Sequence, residues 1–328
     1  MASEPITLAT RGSALALAQT QLVLTQCRSL FPDQQFRITI IKTTGDKLQT
    51  ASLASANLPK GLFTKELELA VLNHEADIAI HSLKDLPTEV PSRLRLGAVT
   101  KRADPRDVLI YRRDELREPS SQSRERRFTH IADLPNGAVI ATISTRRQAF
   151  LQEQRPDLKV VPIRGNVPTR LKRFAEHPEL SALILAAAGL ERLGFAIQPD
   201  GRLLGEGIPM HLAATPIDPD EMLPCVGQAA IGLEIRANDN GMRQVCERLN
   251  DQPTFWCVLA ERALLRGLGG GCQIPIGAFA EIRASELRLR AASFLNKPAR
   301  RGELSGPPEN AEQIGQRLAA QLLAHQRS

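Results

Sequence analysis

Short apolar runs alternate with amphipathic stretches from the start of this chain, and that alternation leaves few folds open. Residues 6–9, 36–41 and 77–80 read as strands, with residues 14–30 and 64–73 as the helices between them. In the second helix Phe63, Leu67, Ala70 and Val71 recur at helical spacing, while residues 77–80 form the short apolar run of a buried strand. Strand and helix in strict alternation predict a parallel sheet covered by helices.

A second α/β block begins near Asp104, with strands predicted at 138–141, 159–163 and 182–186, each followed by a helical stretch. The segments ATRGSALALAQTQ from Ala9 and ATISTRRQAFLQEQ from Ala141 both leave a strand through Ala-Thr, pass a serine and enter a helix, which suggests a duplication. Residues 281–294 switch to alternation through Leu287, Leu289 and Ala291, and a terminal helix sets Ile314, Leu318 and Leu322 on one face. A small α+β domain fits this tail. Residues 111–130 are rich in charge and broken by Pro119, Ser120, Ser121 and Ser123, and read as a solvated loop.

With 328 residues, 42% of them hydrophobic, the chain can bury two or three cores. No stretch approaches the roughly 20 apolar residues of a membrane span, and residues 1–5 lack a basic and then apolar leader; a soluble cytoplasmic protein is expected. The five cysteines, Cys27, Cys225, Cys246, Cys257 and Cys272, are odd in number and have no CxxC pair, so neither a disulfide framework nor a metal site is indicated. A net charge of +6 suits nucleic acid, an anionic membrane or a small polyanion. With one Trp, one Tyr and ten Phe, none among the arginine motifs, the stacking platform of a single-strand binder is missing. A small anion is the better partner.

Arginines recur where predicted strands give way to helices. Arg11-Gly12-Ser13 follows the first strand, with Ser13 placed to cap the helix and the helix N-terminus free to meet an anion. Thr142-Ile143-Ser144-Thr145-Arg146-Arg147 repeats the arrangement, Arg164-Gly165-Asn166-Val167-Pro168-Thr169-Arg170 follows the next strand, and Arg192 lies in AAAGLERLG. In open α/β sheets such loops sit at the carboxyl ends of strands, where ligands bind. Guanidinium forks match carboxylates two bonds at a time, so the cluster suits a substrate with several carboxylates. Lys60 and Gly61, before the second helix, offer a further anion contact, while Asp104 to Asp107 read as a turn tied by ion pairs.

Two residues stand out for chemistry. Asp85 follows Lys84 in HSLKDLP, and a carboxylate among arginines is suited to hold a cationic amine or a pyrrole N–H. Cys272 ends the run Gly267-Leu268-Gly269-Gly270-Gly271, a loop that would present its thiol to a bulky group, whereas the other cysteines lie in apolar or helical surroundings.

Taken in order, ATRGSALALAQ, TTGDK, KGLFTKELE, ADIAIHSLKDLP, RADPRD, STRRQ, RGNVPTRL, LILAAAGLERLG, LPCVGQAAIGLE and GGGCQIPIG resemble the porphobilinogen deaminase (hydroxymethylbilane synthase) family from about residue 6 to residue 277. The resemblance implies two α/β domains of the hinged, periplasmic-binding-protein type and a small α+β C-terminal domain. The implied divisions are 1–103 with 216–238 (catalytic aspartate), 104–215 (arginine-rich cleft wall) and 239–328 (cysteine loop). Cys272 then carries a dipyrromethane cofactor through a thioether, and Asp85 is the catalytic aspartate. Ser13, Lys84, Asp85, Ser144, Arg146, Arg147 and Gln228 fall at cofactor-contact positions, and Arg11, Lys60, Thr142, Arg164, Arg170 and Arg192 at substrate positions.

The implied reaction joins four porphobilinogen molecules head to tail. Asp85 assists loss of ammonia, giving an azafulvene that the free α-carbon of the primer's terminal pyrrole attacks, and water finally releases hydroxymethylbilane for tetrapyrrole synthesis. The chain departs from the family pattern at Ile143, Thr145, Pro168, Ala229 and Gly269, and at Leu58-Pro59 before Lys60. A monomer without nucleic-acid or membrane partners is implied. The competing readings are a carboxylate-binding solute or sensor module without chemistry, and a nucleic-acid protein whose binding would weaken steeply with salt.

Overall fold

The computed structural model describes residues 4–44, 64–113, 128–208, 211–271 and 273–324, so Lys60, Gly61, Phe63, Cys272 and most of the expected 111–130 loop lie outside the described residues. Two compact units result: Met1–Ala103 with Cys225–Ser328, and Asp104–Pro224. The chain opens with β1 (Ile6–Arg11), α1 (Ala14–Leu30), β2 (Phe36–Ile41), α2 (Lys65–Leu72), β3 (Ile78–Ser82) and β4 (Leu94–Val99). The second unit runs through β5 (Asp107–Arg112), β6 (Val139–Ala141), α3 (Thr145–Gln154), β7 (Lys159–Val161), α4 (Val167–Glu176), β8 (Ala182–Ala186) and α5 (Ala187–Glu191). It closes with β9 (Ala196–Ile197), β10 (Leu203–Leu204) and β11 (Leu212–Pro216). The first unit resumes with β12 (Ile231–Arg236), α6 (Asn240–Leu249), α7 (Gln252–Gly267), β13 (Ile276–Arg283), β14 (Glu286–Ser293), β15 (Arg300–Gly306) and α8 (Ala311–Ala324).

The sheets share one plan. The first has the order β2-β1-β3-β12-β4 and the second, read from its far edge, β7-β6-β8-β5-β11. In each, three parallel strands are followed by one antiparallel strand, β12 or β5, and then by a fourth strand antiparallel to that one. This is the periplasmic-binding-protein type of architecture that the resemblance implies. The expected parallel pairing holds for three strands of each sheet, and β12 and β5 run against them. Strand β12 comes from a stretch more than a hundred residues beyond β3, and local alternation carries no information about such a partner.

The two similar segments occupy equivalent places, β1 between β2 and β3, and β6 between β7 and β8. Each continues into a helix capped by its serine: Ser13 Oγ accepts from Ala16 N at 3.3 Å, and Ser144 Oγ from Arg147 N at 3.4 Å. Residues 111 and 112, read as part of the loop, belong to β5, where Tyr111 is buried.

In the C-terminal part β13, β14 and β15 form an antiparallel sheet. The alternation seen in residues 281–294 spans a hairpin, which turns at Ala284 and Ser285, both at positive φ (48° and 68°), as a two-residue hairpin turn requires. Leu287, Leu289 and Ala291 pack with Ile314, Leu318 and Leu322 of α8 and with Leu264 of α7.

Candidate active site

Strands β1 and β3 are parallel neighbours, with Leu8 opposite Ile78, so the loops at their carboxyl ends emerge on the same edge of the first sheet. One is Arg11-Gly12-Ser13. The other is a single 3₁₀ turn, Leu83–Asp85. Leu83 and Leu86 are buried on either side, Lys84 is half-buried and Asp85 is exposed, so the chain pins the turn by two leucines and leaves the carboxylate at its tip. Ser82 Oγ, just before the turn, donates to Gln19 of α1 at 2.9 Å, and Leu83 N donates to Ala230 O at 3.0 Å.

The segment 225–230 lies under this turn. Gly227 has φ +69°, and a Cβ there would meet Leu83 Cγ at 3.2 Å and Lys84 N at 3.3 Å, which accounts for glycine at that position. Ala229, one of the departures from the family pattern, also has positive φ, 71°. Gln228 is 1% exposed, and its carbonyl accepts from Arg102 Nε at 2.8 Å. The carboxylate of Glu261, fully buried in α7, receives both terminal nitrogens of Arg102 at 2.6 and 3.2 Å, the Gly227 N–H at 2.8 Å and the Ala280 N–H at 2.9 Å. Sequence reasoning missed this pair: Glu261 among the apolar residues of α7 was a visible signal, but its partner Arg102 lies 159 residues away.

In the second unit the predicted residues gather at the carboxyl ends of three adjacent parallel strands, β7, β6 and β8. Thr142 is buried after β6, and its Oγ1 accepts from Ser144 N at 3.2 Å. Arg164 is exposed after β7, and the turn that follows is tight: Gly165 has φ +112°, and Arg170 Nε donates to its carbonyl at 2.6 Å. Asn166 caps α4 by accepting from Thr169 N at 2.9 Å. Arg192 lies at the end of α5 after β8, where burial lowers its guanidinium pKa.

Arg146 and Arg147 differ from their expected presentation. Both are buried, at 3% and 6% exposure, and converge on one fully buried carboxylate, Asp107 at the start of β5. Arg146 Nη2 stands 2.7 Å from one of its oxygens and Arg147 Nη2 2.7 Å from the other. Their remaining terminal nitrogens donate to Leu223 O and Ile184 O, each at 2.7 Å. Two cations against one anion leave a net positive charge, and Arg146 Nε is buried with no hydrogen-bond partner among the described residues. The expected ion pair within residues 104–107 is present, Arg106 to Asp104 at 2.6 Å, but Asp107 finds its partners 40 residues away.

Burial raises the thiol pKa of Cys27 to about 11, and those of Cys246 and Cys257 to about 12, which leaves them as apolar core residues. Beside Cys272 a Cβ built on Gly269 or on Gly271 meets nothing within 4 Å, while one on Gly270 would strike Leu265 and Ile274. The loop is thus held at Gly270 and open at Gly269 and Gly271, and the room at Gly271 fits a bulky group attached to the cysteine that follows it. Among the described residues no cluster of His, Cys, Asp and Glu could hold a metal ion.

These features define an α/β protein with a positioned carboxylate in one unit and strand-end arginines in the other. Residues 6–244 match the family model described as porphobilinogen deaminase, dipyromethane cofactor binding domain, and residues 255–324 that of the porphobilinogen deaminase C-terminal domain. A porphobilinogen deaminase of Geotalea daltonii is 41% identical over 326 residues, covering 99% of this chain and 93% of that protein. One from Geobacter sp. strain M21 is 42% identical over 326 residues, covering 99% and 93%. The chain belongs to the porphobilinogen deaminase family. Among solved structures, the BenM effector binding domain with benzoate matches at TM-score 0.41 and 14% identity, over 75% of this chain and 90% of that one.

Proposed function

We propose that this protein condenses four porphobilinogen molecules head to tail, releasing ammonia at each addition, and yields hydroxymethylbilane for tetrapyrrole synthesis. One observation carries the reading: in a chain of this family, the HSLKD carboxylate is exposed on a turn whose flanks are buried. In that role Asp85 accepts hydrogen bonds from the substrate's ammonium and pyrrole N–H, and stabilises the positive charge that grows as ammonia leaves. Arg11, Lys60, Thr142, Arg164, Arg170 and Arg192 take the acetate and propionate groups of the substrate and of the lengthening chain.

Ser13, Lys84, Asp85, Ser144, Arg146, Arg147 and Gln228 hold the group on Cys272. Bound there as a thioether, dipyrromethane supplies the pyrrole carbon to which the first ring is joined. The open space at Gly269 and Gly271 supports this, as does the net positive charge of the Asp107–Arg146–Arg147 cluster. Segments 1–103 with 216–238 bear the aspartate, 104–215 the arginines and 239–328 the cysteine. We place the enzyme in the cytoplasm as a monomer, without nucleic-acid or membrane partners; among the described residues no helix is long and apolar enough to cross a membrane.

Intact mass and ammonia release test the reading together. Wild-type protein is expected to carry a two-pyrrole adduct and release ammonia from porphobilinogen, and Cys272→Ser to do neither. A wild type that binds porphobilinogen without releasing ammonia would instead be a solute-binding module. Turnover by an unmodified wild type would remove Cys272 as the anchor.

A further inference from the structure

We infer that Arg262, in the middle of α7, is a positioning residue for the turn that carries Asp85. The inference rests on the reading of Asp85 as the carboxylate that assists ammonia loss. The turn is closed on its N-terminal side by ordinary backbone bonds: Leu83 N to Ala230 O at 3.0 Å and Leu86 N to Leu83 O at 3.2 Å. On its C-terminal side the chain runs through Leu86, Pro87 and Thr88, outside any strand or helix, and Pro87 has no N–H to offer a neighbour.

The donors that fix this side come from 175 residues away. Arg262 Nη1 donates to Leu86 O at 3.0 Å and Nη2 to Pro87 O at 2.6 Å. One helical turn on, Arg266 reaches Thr88 O at 3.5 Å while pairing with Glu312 of α8 at 2.6 Å. One turn earlier, Val258 packs with Leu83 and Leu86 in a single buried cluster. A single face of α7 therefore holds the turn by its side chains and by three successive carbonyls.

Arg262 is 7% exposed, so its charge is kept out of water to serve two backbone carbonyls. A neutral donor could satisfy one such carbonyl with less desolvation. The planar guanidinium fork instead grips adjacent carbonyls in one fixed geometry, and so sets the direction in which the preceding residue, Asp85, leaves the turn. Chemistry is sensitive to such placement, since a displacement of about 1 Å can cost about 10²-fold in rate.

The test compares Arg262→Met, Arg262→Lys, Asp85→Asn and the double variant Arg262→Met/Asp85→Asn, each shown by intact mass to carry its primer. Arg262→Met is expected to lower kcat about 10- to 100-fold with KM for porphobilinogen nearly unchanged. Arg262→Lys, which keeps the charge but not the fork, should fall between it and wild type. In the double variant Arg262→Met should cost less than about twofold beyond Asp85→Asn, because both changes disable one device. A slow Asp85→Asn beside a normal Arg262→Met overturns this inference alone, as does a full multiplicative loss in the double variant. A normal Asp85→Asn overturns the reading of Asp85 and the inference with it. If Arg262→Met fails to fold, a wild-type kcat in Arg262→Lys overturns the inference in its place.

Discussion

Replacing Asp107 by Asn isolates the energetics of the second unit's arginines. The asparagine keeps the shape, but its one oxygen can accept from only one guanidinium, and its NH2 group turns toward the other. Each arginine keeps its carbonyl contact, to Leu223 O or Ile184 O at 2.7 Å, so the loss lies in the charge: two guanidinia remain buried with no counter-ion among the described residues. Breaking a buried ion pair from one side costs about 3–5 kcal/mol, and the retained carbonyl bonds favour the lower end of that range. At roughly 1.4 kcal/mol per factor of ten, local opening of β6 and α3 should become about 10²-fold more frequent. Amide hydrogen exchange read by mass spectrometry reports this directly, as faster exchange across Val139–Ala141 and Thr145–Gln154. Trp256, the chain's one tryptophan, lies in α7 of the first unit, and its fluorescence should unfold at the wild-type denaturant concentration. Unchanged exchange in α3 would refute the reasoning and show that the three-residue cluster contributes nothing to stability.

Much of this fold was legible because it is local. The apolar periods located α1, β2 and β8 to the residue, and the serines that cap α1 and α3 were readable from their place between strand and helix. What escaped the sequence has its partner far along the chain. The antiparallel direction of β12, whose return to the first domain only the resemblance implied, the Arg102–Glu261 pair across 159 residues and the Arg262 clamp all depend on contacts that no period encodes. For the site, Asp85 and the strand-end arginines could be named from motif and position. Their division of labour could not: Arg146 and Arg147 read as presented to a ligand, yet they share Asp107 inside the second unit.

Two further perturbations probe the first unit. Gly227→Ala adds a Cβ at φ +69° against Leu83 and Lys84; left-handed backbone alone costs an alanine about 1–2 kcal/mol, so the Trp256 unfolding midpoint and the rate of ammonia release should both fall, and a wild-type midpoint would show that the 225–230 loop relaxes without cost. The last prediction concerns Glu68 on α2, whose carboxyl pKa is raised above its ordinary 4.5, chiefly by burial and further by the charges of Glu234 and Glu66, against the lowering effects of the Thr64 hydroxyl and of His81. Glu234 is itself buried, and its charge opposes a second one at Glu68, an effect that His81 Nε2 on β3, 2.9 Å from Glu234, only partly offsets. In the unfolded chain Glu68 ionises near its ordinary value, whereas the folded protein holds the proton to higher pH. Above about pH 4.5 the unfolded state therefore gains by releasing a proton that the folded state retains, and stability declines until pH passes the raised folded value, after which the loss is constant. Glu68→Gln removes this dependence while keeping the size of the side chain. Relative to wild type, the variant should thus gain stability as pH rises from about 4.5 toward neutrality and keep that gain above it. Denaturant midpoints followed by Trp256 fluorescence across this range measure the difference. A difference that stays flat with pH, or that grows toward acid, would show that burial does not oppose ionisation of Glu68.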